Sequence, residues 1–259
     1  MHQKRDLFLP PLRMVNNWFS ETDWKNRARA SALRFRNALP RELMVRAGDT
    51  VVQVGMWRER NLRRLAQCVG SSGQVVLIEA DQHVAQRMAK YCHSIGLRQV
   101  TIVNKGAWHE RGTLELNVGQ SAANNRLEAD DVVMLGEVNT NAFAGVRTIE
   151  VDTVDNILAE LGIDHVDYVE VSVNGVERQV LQGMRRTLSQ VRRIFVAGYA
   201  RTEQGTRPTN VVVAEALADR GLQTCISCKT PPRQARFDPE AARQWGHQDG
   251  HVFAWRKAA

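Results

Sequence analysis

Three short segments of this chain carry side chains suited to holding a small polar ligand. Gly55-Met56-Trp57-Arg58-Glu59 and Glu79-Ala80-Asp81 each follow an apolar, β-branched run, and Ser172-Val173-Asn174-Gly175 follows a third. In an open α/β sheet, ligands bind beyond the carboxyl ends of the strands, near the point where strand order reverses. A glycine at such an end lets backbone approach the ligand. A carboxylate at the end of the next strand can take both ribose hydroxyls of a nucleoside. The separation of Gly55 from Glu79 suits that division of labour.

The elements that must position these segments follow from periodicity. Residues 50–55, 74–79 and 100–103 read as strands. Between them, Leu62, Leu65, Ala66 and Val69, then Val84, Ala85, Met88, Ala89, Cys92 and Ile95, recur at helical spacing. Near-continuous apolar strands alternating with amphipathic helices predict a mostly parallel sheet covered on both faces. Residues 113–118 and 147–151 interrupt this rhythm as two further strands, with a polar stretch containing Ser121-Ala122-Ala123-Asn124-Asn125 between them. The rhythm resumes with a helix through Val154–Leu161, a strand at 168–171 and one helix running through Val176, Val180, Leu181, Met184 and Leu188. A strand at 193–197, a helix through Val212–Leu217 and a closing pair of strands at 222–228 and 251–256 complete the pattern.

The ligand is narrowed by what the first turn lacks. Gly55 is followed by Met56, Trp57, Arg58, Glu59 and Arg60, so the G-x-G-x-x-G fingerprint is absent. Without the later glycines a pyrophosphate does not sit easily against the turn and helix start. A nucleoside ligand without pyrophosphate fits better than a dinucleotide, and S-adenosylmethionine (SAM) is such a ligand.

Residues 48–200 resemble the FkbM-type methyltransferases, a branch of the class I SAM-dependent enzymes. The resemblance lies in Gly48-Asp49-Thr50-Val51-Val52-Gln53-Val54-Gly55 and in Gly73-Gln74-Val75-Val76-Leu77-Ile78-Glu79-Ala80-Asp81. It continues in Val103-Asn104-Lys105-Gly106-Ala107-Trp108 with Gly112-Thr113-Leu114. It is strongest in Val151-Asp152-Thr153-Val154-Asp155-Asn156-Ile157-Leu158 and in Asp167-Tyr168-Val169-Glu170-Val171-Ser172-Val173-Asn174-Gly175-Val176-Glu177, continuing to Val180-Leu181-Gln182-Gly183. The resemblance implies a Rossmann-like seven-stranded sheet, mostly parallel, whose last strand is antiparallel. It implies SAM as cofactor, with Gln53, Gly55, Trp57, Glu79, Ala80 and Asn104 at its site. It also implies transfer of a methyl group to a hydroxyl, often on a sugar or natural product.

The departures from the family pattern fall in two motifs. Where the family usually reads Asp-Val-Gly-Ala-Asn-x-Gly, this chain has Gln53 for the first Asp, Met56 for the Ala, Trp57 for the Asn and Glu59 for the last Gly. Where the family reads Lys-Ile-Asp-Val-Glu-Gly, it has Glu170, Ser172 and Asn174 for the three polar residues. A hydrogen bond to a charged group contributes about 1.5–3 kcal/mol. Losing one acidic partner of the cofactor therefore weakens binding roughly 10- to 100-fold, less whatever Gln53 recovers. Methyl transfer to a hydroxyl needs a base or strong orientation of the acceptor. Ser172 cannot be a base at neutral pH, so the catalytic candidates are Ser172 and Asn174 by position, with Glu170, Glu177 and His109 as possible proton acceptors.

Composition sets the remaining bounds. The chain has 259 residues, is 43% hydrophobic and 24% charged, and carries a net charge of +7. That mixture excludes a disordered chain, a collagen or a rod. No run approaches a membrane span. The first residues lack the apolar stretch of a signal peptide, so a cytoplasmic protein is expected. Residues 1–66 hold 14 Lys/Arg against 6 Asp/Glu, while the rest is nearly balanced. We divide the chain into a basic helical extension at 1–46 and a methyltransferase-like domain at 47–259, in which 229–250 form a long connection.

A basic patch can meet phosphate, an anionic membrane face or an acidic partner. Nucleic acid is the less favoured partner, and would require the patch to adjoin the pocket and binding to weaken steeply with salt. The competing expectation to an enzyme is a catalytically silent module that binds through this basic surface. Cys225-x-x-Cys228 with His247 and His251 has the order of a Cys2His2 zinc site, but the gap between the pairs is long, and two cysteines so spaced on one strand face opposite sides. We assign no metal. Cys68 and Cys92 fall on apolar helix faces and read as core.

Overall fold

The computed structural model describes residues 45–56, 59–119, 125–127, 133–134, 143–198, 200–202, 207–227 and 251–256. The basic extension before residue 45, Trp57, Arg58, and the connection 229–250 lie outside them, as do Cys228 and His247.

The chain opens as strand–helix–strand units: β1 (Thr50–Val54), α1 (Glu59–Val69), β2 (Gln74–Ile78), α2 (Gln82–Ser94) and β3 (Val100–Val103). It then crosses back over β1. After a hairpin layer it continues with α3 (Val154–Glu160), β9 (Tyr168–Val171), α4 (Glu177–Gln182), α5 (Arg185–Gln190), β10 (Arg193–Ala197), α6 (Thr209–Ala218), β13 (Gln223–Ser227) and β14 (His251–Trp255). The main sheet has seven strands in the order β13-β14-β10-β9-β1-β2-β3. The pairs β1–β2, β2–β3, β1–β9 and β9–β10 are parallel, and β14 runs antiparallel to both β10 and β13. This is the sheet expected from the sequence, with the last strand reversed.

Alternation along the strands divides the core. Val52, Val54, Val76, Ile78, Val169, Val171, Ile194 and Val196 pack one face against α3, α4 and α6. Val51, Val75, Leu77, Tyr168 and Phe195 pack the other against Leu62, Leu65 and Val69 of α1 and Val84 and Met88 of α2. Each fully buried aliphatic side chain contributes about 1.5–3 kcal/mol. The cysteines behave as small hydrophobes here, with Cys68 and Cys92 both buried.

The layer inserted between β3 and α3 is a separate sheet, in the order β4 (Gly106–Ala107), β8 (Phe143–Asp152), β5 (Gly112–Gly119) and β6 (Arg126–Leu127). Its β5–β8 pair is antiparallel, with Leu116 opposite Arg147. Trp108, Leu116, Leu127, Ile149 and Val151 bury it against Val176 at the approach to α4. Short strands β7 (Val133–Met134), β11 (Ala200–Thr202) and β12 (Arg207–Pro208) form a third sheet.

One expectation changes. The stripe from Val176 to Leu188 is two helices, broken at Gly183-Met184. A side chain at position 183 would overlap the Trp108 carbonyl, so the backbone packs directly on the β4–β5 turn. Asp155 then caps α5 from outside, accepting from the Arg186 and Thr187 amides at 2.7 and 2.9 Å. Spacing alone cannot report either contact, since both partners are distant in sequence.

Candidate functional site

The strand order reverses between β1 and β9, and there the first and third sequence segments meet. Gly55 closes β1 with φ of +78°, and a Cβ on it would collide with the Ser172 carbonyl oxygen at the end of β9. Only glycine satisfies both the backbone region and the close approach. The Ser172 amide donates to the Val54 carbonyl at 2.8 Å, which sets this loop against β1.

Glu79 stands at the end of β2, on the other side of β1 from Ser172. Its Oε2 accepts from the Met56 amide at 2.9 Å and its Oε1 from the Asp81 amide at 2.9 Å. The Gly55 turn and the start of α2 are therefore both held by one carboxylate. Burial pushes the Glu79 carboxyl above its usual range, and the two backbone amides pull it back. Asn104 completes this corner. Its Nδ2 donates to the carbonyls of Glu79 at 2.9 Å and Ala80 at 3.1 Å. Thus Gly55, Glu79, Ala80 and Asn104 form one cluster, while Trp57 lies outside the described residues.

Gln53 and Glu170 are register partners on β1 and β9. These are the positions where the family pattern has Asp and Lys, so the two departures form a single side-by-side exchange. Gln53 is fully buried, and its Nε2 donates to the Gly55 carbonyl at 3.2 Å. Glu170 turns towards α1, where Asn61 donates to it and an Arg64 guanidinium lies at 3.9 Å. The Tyr168 hydroxyl donates to it at 3.5 Å. Burial raises the Glu170 carboxyl, with Arg64 and Asn61 acting against that rise.

The other catalytic candidates are dispersed. Ser172 and Asn174 share the loop beside Gly55. Glu177 begins α4 and is fully buried; its Oε1 accepts from the Gly175 amide at 3.2 Å. Its Oε2 has no partner among the described residues. Burial pushes this carboxyl up to about 8. His109 is exposed beside Trp108, in the turn that packs on Gly183 at the opposite end of α4 from Glu177. Cys225 is buried on β13, and His251 begins β14 opposite Ser227.

Sequence reasoning missed part of the site. Asp81 caps α2, accepting from the His83 and Val84 amides at 2.8 and 3.3 Å. It also receives Arg147 Nη1 at 2.9 and 3.0 Å and Asn125 Nδ2 at 2.7 Å. An Asp before a helical stripe is a legible cap signal. Nothing in the spacing pointed to Asn125 or Arg147.

The model of the methyltransferase FkbM domain matches residues 49–221, well over half of the chain. The chain belongs to the FkbM methyltransferase family. SAM is the cofactor of this family of methyltransferases. The FkbM chain also resembles solved structures at low identity. One is Aeropyrum pernix fibrillarin with natively bound SAM, at 13% identity and a TM-score of 0.50, over 86% of this chain and 73% of that one. Two others are a Geobacter metallireducens precorrin-6y C5,15-methyltransferase and a Bacillus cereus O-methyltransferase in complex with SAH. The first has 12% identity, a TM-score of 0.48 and coverage of 87% and 88%. The second has 10% identity, a TM-score of 0.45 and coverage of 97% and 94%. A comparison with curated protein sequences finds no match. Among the described residues, no helix is long and apolar enough to cross a membrane.

The residues present fit this cofactor. Glu79 places a carboxylate beside the Gly55 turn with lone pairs beyond the two that accept from the Met56 and Asp81 amides, which is the donor set a pair of ribose hydroxyls needs.

Proposed function

We propose that this FkbM protein methylates a hydroxyl oxygen of a small molecule or glycan, with SAM held at the Gly55–Glu79 corner. The observation that carries this is the Glu79 carboxylate bonded to the Met56 amide across the Gly55 turn, with the Ser172 loop packed on the same glycine. On this reading cofactor and acceptor lie to either side of one residue. When bound, SAM supplies an electrophilic methyl group on its sulfonium.

The chain's own contribution is orientation. Glu79 takes the ribose hydroxyls, and the backbone at Gly55 and Met56 lies beside the cofactor. Ser172 and Asn174 orient the acceptor hydroxyl. Holding the reacting groups in line replaces a bimolecular encounter by an effectively unimolecular one. Glu177 sets the acceptor loop through the Gly175 amide, and Glu170 anchors α1 beneath the turn. Both carboxyls are fully buried, so each acts by positioning rather than by touching the acceptor.

Calorimetric titration with SAM and S-adenosylhomocysteine (SAH) tests this, with Glu79→Ala as control. We expect affinity on the order of micromolar for the wild type, about −8 kcal/mol, and about 10- to 100-fold weaker binding in the control. A folded protein that binds neither ligand at about millimolar concentration overturns the methyltransferase function and favours a silent binding module. Binding unaffected by Glu79→Ala moves the cofactor elsewhere.

A further inference from the structure

A continuous line of hydrogen bonds runs along the cofactor edge and ends on the acceptor side. It starts at Glu79, whose Oε1 accepts from the Asp81 amide at 2.9 Å. The Asp81 carboxylate receives Asn125 Nδ2 at 2.7 Å. Asn125 in turn accepts on its Oδ1 from the Gly119 amide at 3.0 Å and on its backbone carbonyl from Asn174 Nδ2 at 2.7 Å. The cap of α2, the end of β5 and the loop after β9 thus meet on one residue. Its partners Asp81 and Asn174 stand 44 and 49 positions away.

The chemistry at position 174 has a direction. Asn174 must donate, because the group opposite is a carbonyl oxygen. The FkbM pattern has Glu at this position, and a carboxylate there would set acceptor against acceptor. The departure at Asn174 is therefore what allows the loop to join Asn125.

We propose that Asn125 is a positioning residue that couples the cofactor corner to the acceptor loop. Order imposed on Glu79 and Asp81 by bound cofactor passes through Asn125 to Asn174. This deepens the methyl-transfer function and rests on it. Coupling of this kind is reciprocal, so loosening the Asn174 end weakens cofactor binding.

A double-mutant cycle read by SAH affinity tests the coupling. Asn174→Asp keeps the side-chain volume but removes the donor. It raises the SAH dissociation constant about three- to tenfold in the wild-type background, and by less than about twofold where Asn125→Ala has already cut the line. Asn174→Gln, which keeps a donor, recovers part of the loss. Hydrogen exchange at the Gly119 amide gives a second readout, and speeds up in Asn174→Asp although position 174 does not touch that amide. Equal effects of Asn174→Asp in both backgrounds overturn the coupling, as does unchanged SAH affinity or unchanged Gly119 exchange. A wild-type chain that binds no SAH removes the cofactor function first and the coupling with it. A chain that binds SAH with additive variants removes the coupling alone.

Discussion

Glu79 and Glu177 are both acids buried at the carboxyl edge of the sheet, yet their surroundings differ. Glu79 gives one oxygen to each of two backbone amides, at the mouth of the glycine turn. Glu177 accepts on one oxygen from the Gly175 amide, and its other oxygen has no partner among the described residues. Burial is the largest cause raising both carboxyls, and backbone amides act against it in each. The difference teaches that one raw material, a desolvated carboxyl, serves two purposes. At the end of β2 both of its oxygens accept from backbone amides beside the Gly55 turn. Beneath the acceptor loop it fixes backbone at a cost in stability.

The sharpest way to separate the two is pH. Burial lifts the Glu177 carboxyl from its ordinary value of 4.5 to about 8 in the folded chain. An acid with a raised folded pKa destabilises the native state progressively as pH rises through that window, because the unfolded chain loses its proton first. The penalty is absent below the lower value and fully developed above the upper one. Glu177→Gln should remove it, so the variant gains roughly 3–5 kcal/mol relative to wild type between about pH 4 and about pH 9. Urea unfolding across that range checks this. A flat difference would show that Glu177 ionises normally and that the contrast with Glu79 is false.

Gly55→Ala comes next, because it strikes where both regions meet. The added methyl faces the Ser172 carbonyl and the backbone stays at positive φ. We expect a loss of about 2–4 kcal/mol in stability from strain and displaced backbone, with SAH affinity reduced further. Thermal unfolding and calorimetry together read this out. Glu79→Ala should act on affinity more than on stability, weakening SAH about 10- to 100-fold. If its main effect is instead on the melting temperature, Glu79 resembles Glu177 and holds backbone only.

The smallest effect belongs to the exposed charges on the hairpin layer. Arg111 pairs with Asp152 at 2.8 Å and also with Glu160, but its side chain is 62% exposed. Solvent screening limits such pairs, so Arg111→Ala should leave the melting temperature and SAH binding essentially unchanged. A larger change in affinity would extend the cofactor region into this layer.

The structure also revises how the family departures are understood. In the sequence, Gln53 and Glu170 stand far apart and look like two separate losses at the ligand site. On the sheet they are neighbours, and Glu170 faces α1, where Arg64 and Asn61 meet it. Asn174 likewise looks like the loss of a carboxylate, but it makes a bond that a carboxylate cannot make. The periodicity of Leu62, Leu65 and Val69 was enough to place α1 on the sheet, because a helical stripe states which face is buried. No comparable rule joins Asn125 to Asp81 or Asn174, since a polar residue in a connection carries no period.

What the sequence by itself determined was the alternation of strands and helices, the reversed last strand through the family resemblance, and the Gly55–Glu79 corner. Those follow from local periodicity and from residue types that have few alternatives at a strand end. Only the tertiary structure decided which polar groups face one another: the Gln53–Glu170 pairing, the burial of Glu177 against the Gly175 amide, and the line from Glu79 through Asn125 to Asn174. The physical reason is that hydrogen bonds and desolvation depend on distances between atoms from distant segments, and those distances exist only once the chain has folded.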